Sequence, residues 1–115
     1  MIYNPIKKFI FAHKLKRNLK KNKFMIFDIY KNYPRYGFNF EPNNMQMQPL
    51  TFSLIIDWKK DLVYLSKVNK EQEYDSFWCT WTFDDLISLN INDNTVIDLQ
   101  DFIDSYLLAN KLVAC

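Results

Sequence analysis

The sequence predicts an α+β fold, a small single domain over residues 1–115 in which an antiparallel sheet of three to four strands packs with N- and C-terminal helices. Three observations carry this expectation. A lysine-rich stretch near the start repeats its apolar residues at helical spacing. The middle of the chain alternates apolar and polar residues with a period of two. A second helical stripe follows Asp98.

Taken in order, Asn4 and Pro5 form a helix start, with Asn as the cap and Pro at the first helical position. Ile6, Phe9, Ile10 and His13 follow at helical spacing as the apolar face, lysines fill the other, and the helix is expected to reach about Lys21. Phe24 to Tyr33 fits two periods: Ile26, Ile29, Tyr30 and Tyr33 suit a helix, whereas Met25, Phe27 and Ile29 suit a strand. A short helix is the reading taken, stopped before Pro34 because a residue preceding proline avoids the helical region. Pro34 to Pro49, with three prolines, the only glycine and Asn43-Asn44, reads as a loop. Its Tyr36, Phe38 and Phe40 either cover the core or form an exposed contact.

Phe52, Leu54, Ile56 and Trp58 alternate with Thr51, Ser53 and Asp57 as a strand, and Leu62 to Val68 gives a second, joined through a turn at Lys59-Lys60-Asp61. After a polar loop from Asn69 to Asp75, Phe77, Cys79, Trp81 and Phe83 alternate with Ser76, Thr80 and Thr82 as a third strand, which leaves Trp78 on its outer side. Thr82-Phe83-Asp84-Asp85 resembles a capping box opening a short helix through Leu89. Asn90 to Asn94 turns the chain and Thr95 to Ile97 suggests a short fourth strand. Asp98 then caps a last helix whose Leu99, Phe102, Ile103, Tyr106 and Leu107 form one stripe, with Asp101 and Asp104 near its positive end and Lys111 near its negative end.

Composition closes several routes. Apolar residues make up 49% of the chain, enough for a packed core, which excludes wholesale disorder. A single glycine, Gly37, excludes the Gly-rich phosphate loops of the dinucleotide and P-loop types. Cys79, Cys115 and the lone His13 are too few for the usual structural zinc site, and the thiols read as reduced. His13 has no acid in its own segment to orient it as a general base, and Asp93, Asn94 and Asp98 lack the glycine and terminal glutamate of a calcium loop. No cofactor, metal or enzymatic activity is therefore expected. No run approaches the about 20 apolar residues that cross a bilayer. The apolar run Phe9 to Ala12 is broken by His13 and Lys14, with no small-residue cleavage site after it, so a cytoplasmic location is expected.

Charge is the most informative feature. The formal net charge of +2 hides a separation: residues 1–23 carry eight bases and no acid, while the remainder carries seven bases against thirteen acids. From Glu71 to Asn110 there are nine carboxylates and no Lys or Arg, interleaved with Phe77, Trp78, Trp81 and Phe83. Asp98, Asp101 and Asp104 are accounted for as cap and dipole charges. The unexplained charge is Glu71, Glu73, Asp75, Asp84 and Asp85 around Trp78, which is the expected protein-binding surface. Carboxylates around exposed aromatics suit a basic protein partner, such as a nuclease-like toxin neutralised by an immunity protein or antitoxin. The alternative is nucleic-acid binding or regulation through the basic helix, with Tyr30, Tyr33 and Tyr36 as stacking groups. With Arg17 and Arg35 the only arginines, such contact would be mostly non-specific. Balance of the basic helix by the acidic segment within the fold stands beside both, and a membrane partner is not expected.

Overall fold

The computed structural model describes residues 5–43, 50–72 and 79–109. Along the chain these form α1 (Pro5–Lys21), β1 (Phe24–Asn32), β2 (Arg35–Pro42), β3 (Thr51–Asp57), β4 (Leu62–Gln72), β5 (Cys79–Asn90) and α2 (Thr95–Ala109). The fold is α+β, with five strands where three to four were expected. All neighbours are antiparallel and the strand order is β1-β2-β3-β4-β5, so position across the sheet follows position in the sequence.

Alternation sends every second residue of a strand to the same face. On one face lie Phe38 and Phe40 of β2, Phe52, Leu54 and Ile56 of β3, and Val63 and Leu65 of β4, all buried. Phe11, Ala12, Leu15 and Leu19 of α1 and Leu99 and Ile103 of α2 close over that face and complete one core. Both helices therefore sit on the same side. Phe40 is its centre: its ring lies 5.5 Å from Phe24, 6.1 Å from Phe38 and 5.1 Å from Phe52, and Phe52 in turn meets Tyr106 of α2 at 5.8 Å. Tyr36, Phe38 and Phe40 are thus core residues or packed against it, which accounts for much of the aromatic surplus.

Four sequence expectations are corrected. Residues 24–32 are a strand and not a helix. Phe27 pairs with Asn39 but Tyr30 with Gly37, so β1 holds one extra residue there, and Asp28 takes φ 52°. This bulge shifts the alternation by one position and turns a period of two into an apparent helical spacing. Asp is one of the few side chains that accepts the left-handed region readily. Residues 35–42 form β2 and not a loop, because Pro34 and Pro42 bracket the strand and Tyr36, Phe38 and Phe40 alternate between them. The supposed helix from Thr82 to Leu89 is the body of β5. A second irregularity, where Leu65 pairs with Ile87 but Ser66 with Asp85, leaves Leu86 extra and again mimics helical spacing. The short strand at Thr95–Ile97 is the first turn of α2, and Asp98 lies inside that helix instead of capping it. Its entry is held by Thr95, whose hydroxyl accepts from Asn92 N at 2.8 Å and donates to Asn90 O at 2.7 Å, while Asn92 Oδ1 accepts from Asn94 N at 2.8 Å.

The limits of α1 agree with expectation, but its buried face does not. Ile6, Phe9, Ile10 and His13 are exposed; Phe11, Ala12, Leu15 and Leu19 are buried. No residue from 6 to 10 is buried, so the first turns of the helix overhang the core and only the later turns cover it. In α2, Leu99 and Ile103 are buried and Phe102, Tyr106 and Leu107 pack against the core, as the stripe predicts. The expected cap Asn4 and the expected dipole charge Lys111 lie outside the described residues.

Gly37 has a specific task. A Cβ there would stand 2.7 Å from the carbonyl oxygen of Leu54 and 3.3 Å from Ile55 Cγ1, both on β3. Any side chain would push β2 and β3 apart at their pairing. Gly37→Ala is expected to lower the unfolding free energy by about 1–3 kcal/mol. A urea titration reads this as a lower midpoint at constant slope; an unchanged midpoint would mean the strands yield freely.

Candidate functional site

The overhang of α1 creates a cleft. Its far wall is built from two turns: Tyr33-Pro34, between β1 and β2, and residues 58–61, between β3 and β4. Trp58 N donates to Pro34 O at 2.8 Å, which ties the turns together. Asp57 fixes the second turn from within. Its carboxylate Oδ1 accepts from Lys59 N and Lys60 N at 3.0 Å each, and its Oδ2 lies 3.9 Å from Arg35 Nε, with the residue only 3% exposed. A buried carboxylate is tolerated where backbone donors meet it, and here they do. Asp61 closes the turn at φ 53°. The result is a Trp58 side chain held over Phe11, ring centroids 6.1 Å apart and nearly perpendicular.

Between this wall and α1 lies a volume of about 340 Å³ lined by Lys8, His13, Lys16, Lys31, Tyr36 and Trp58, with Phe9 and Ala12. Lys8 Nζ stands 5.2 Å from the Tyr33 ring and 5.9 Å from that of Trp58, and Lys16 Nζ stands 5.4 Å from the Tyr36 ring. Such contacts contribute about 0.5–1 kcal/mol each at exposed sites. His13 stacks on Phe9 with planes 8° apart. Among the described residues, no carboxylate lines the cleft. The hydroxyl of Tyr36 is buried and finds no hydrogen-bond partner among the described residues; an unmet buried hydroxyl costs about 1–3 kcal/mol. The arrangement is suited to holding an anion beside flat rings.

The acidic surface expected from the sequence is placed only in part. Glu73, Asp75 and Trp78 lie outside the described residues. Glu71 is in β4, opposite Thr80. Asp84 and Asp85 are both exposed on β5 but project from opposite faces of the sheet. Asp84 is opposite Lys67, on the helix side, and accepts from Asn69 Nδ2 at 2.6 Å; Asp85 is opposite Ser66, on the other side, and accepts from its hydroxyl at 3.2 Å. Each therefore has a local role in the β4–β5 pairing. Among the described residues, no group of three or more His, Cys, Asp or Glu could hold a metal ion, and no helix is long and apolar enough to cross a membrane.

A second cleft of about 440 Å³ separates α1 from the start of α2, where Lys7 and Lys14 share a lining with Asn92 and Asp93. Farther along, Asn18 Nδ2 donates to Gln100 Oε1 at 2.9 Å. One direct bond between these helices thus joins amides. Tyr33 and Tyr36 were legible as partners of the basic helix. Trp58 and Lys31 were not: Trp58 read as the inward end of a strand, and Lys31 fell in the segment misread as helix.

Compared with protein-family models, curated proteins and solved structures, the chain matches none of them.

Asp57→Ala should free the β3–β4 turn and lower stability by about 1–3 kcal/mol, the cost of leaving backbone donors unmet. Arg35→Gln should cost less than about 1 kcal/mol, since Arg35 is mostly exposed and the pair long. Thermal unfolding of the two variants tests that order, and equal losses would show the ion pair to be the anchor.

Proposed function

We propose that the chain is a non-catalytic binding protein that neutralises a basic protein, as an immunity protein or antitoxin occluding the site of a nuclease-like toxin. The observation that supports this is the charge of one edge of the molecule. Residues 79–109, which form β5 and α2, carry six aspartates and no base, whereas residues 5–32, in α1 and β1, carry nine bases against one acid. The sheet follows sequence order, so β1 and β5 stand at opposite edges of it, while α1 and α2 meet over its shared face.

An edge strand seen from its side presents both of its faces. A partner whose basic cleft receives the β5 edge meets Asp84 on one flank and Asp85 on the other, with Glu71, Glu73, Asp75 and the anchor Trp78 in the sequence leading into that edge. A nuclease site is cationic because its substrate is a polyanion, and complementary charge raises the rate of encounter with it. The cationic cleft beneath α1 favours a second reading, nucleic-acid binding on the opposite side.

A toxin domain encoded beside this gene provides the test. Equimolar addition should abolish its activity, with association slowing as salt rises. Replacing both carboxylates, Asp84→Lys with Asp85→Lys, should weaken capture by about tenfold, chiefly in the association rate, and flatten its salt dependence. Unchanged capture would remove the partner from this edge, and the lack of any toxin in the neighbourhood would remove the reading.

A further inference from the structure

From the cleft beneath α1 we infer a binding site for single-stranded nucleic acid, one nucleotide of which seats its phosphate among the lysines and its base against the rings. The chemistry of the walls leads there. Lys8, Lys16 and Lys31 line a space of about 340 Å³ to which no carboxylate contributes among the described residues, and sites of this size accept small ligands or parts of larger ones. The rings of Tyr36 and Trp58 lie on the same walls, while Tyr33, 72% exposed, stands beside Lys8 and Phe9, 74% exposed, stacks one face on His13. Lys8 is the link: its ammonium lies within 6 Å of both the Tyr33 and Trp58 rings. A phosphate drawn to that ammonium delivers its attached base to an aromatic face.

Three further observations narrow the ligand. Lysines predominate, and a lysine offers a point charge without the planar fork that reads base edges, so the site is tolerant of sequence. Stacking is open only to bases not already stacked in a duplex, which selects a single strand. Lys8, Ala12 and Lys16 are spaced four apart on one side of α1, and Lys20 continues that row beyond the cleft, so the cationic track outlasts one nucleotide. The site lies across the sheet from β5, so it does not rest on the toxin-binding reading.

Fluorescence anisotropy with a labelled oligothymidylate of about 16 nucleotides tests it. Binding should be saturable below about 100 μM and fall with salt at a log–log slope near about −0.7 for the one phosphate seated in the cleft, steeper by about 0.7 for each further phosphate held along the lysine row. Tyr33→Ala and Phe9→Ala should each weaken it by about tenfold while lowering the melting temperature by no more than about 5 °C, since neither ring is in the core. The double variant Lys8→Gln with Lys16→Gln should flatten the slope by about 0.7. The inference is overturned if a duplex of equal length binds as tightly, or if free thymidine monophosphate competes as well per nucleotide. It is equally overturned if the ring variants bind normally, if no saturable binding occurs, or if anionic vesicles, which could engage the exposed Ile6, Phe9 and Ile10, are preferred to the strand. Capture of a neighbouring toxin by the Tyr33→Ala variant should remain unchanged, which separates failure of this site from failure of the acidic edge.

Discussion

The fold depends on a line of aromatic rings running from β1 to α2. Phe24, Phe40, Phe52 and Tyr106 touch in sequence, with centroid separations of 5.5, 5.1 and 5.8 Å. Each contact joins a different pair of elements: β1 to β2, β2 to β3, and β3 to the last helix. Aromatic pairs of this kind contribute about 0.5–1.5 kcal/mol beyond the area they bury. More important is where they act. Elements far apart in sequence are locked by large, rigid side chains with few rotamers, which leaves little freedom to re-register one strand against the next. Gly37 serves the same arrangement, since only a missing Cβ lets β2 approach Leu54 O and Ile55 of β3 closely enough for the rings to meet.

Once the strands are locked in sequence order, the distribution of charge in the chain becomes the distribution of charge in the molecule. Basic α1 packs beside β1 and acidic β5 leads directly into acidic α2. A fold with long crossovers would have mixed the two populations. Here the meander sets the two edge strands apart, although α1 and α2 meet over the core face, and the edges are chemically distinct: rings and ammonium groups near one, aspartates held by cross-strand donors on the other.

What the sequence made legible follows from where its periodicity was undisturbed. α1 and β3 carry unbroken patterns and were read with nearly their observed limits, whereas β4 runs on to Gln72 through residues expected as loop, and α2 begins at Thr95, three residues before the expected cap Asp98. β1 and β5 were read as helix in whole or part because each contains a bulge, and one extra residue converts alternation into a three-and-four spacing. β2 was hidden by proline content, although the prolines lie at its borders. The face of α1 was misjudged because two apolar stripes compete on it, and only tertiary structure decides that Leu15 and Leu19 are covered while Phe9 is not. The cleft was half visible, as lysines with tyrosines nearby. Trp58 joins it through the fold of a turn, set by hydrogen bonds from Lys59 and Lys60 to Asp57, which no local pattern announces.

The two bulges have a consequence for self-association. Among the described residues, β1 and β5 are the edges of the sheet, and their flanking charges are opposite in sign. Two copies placed side by side would therefore attract, edge to edge, and the pairing would repeat without closing. Asp28 and Ile29 in one edge and Leu86 in the other break the regular spacing of donors and acceptors at mid-strand. An interrupted edge cannot template a long ladder. The irregularities that disguised these strands in the sequence thus also work against growth of the sheet into a fibre.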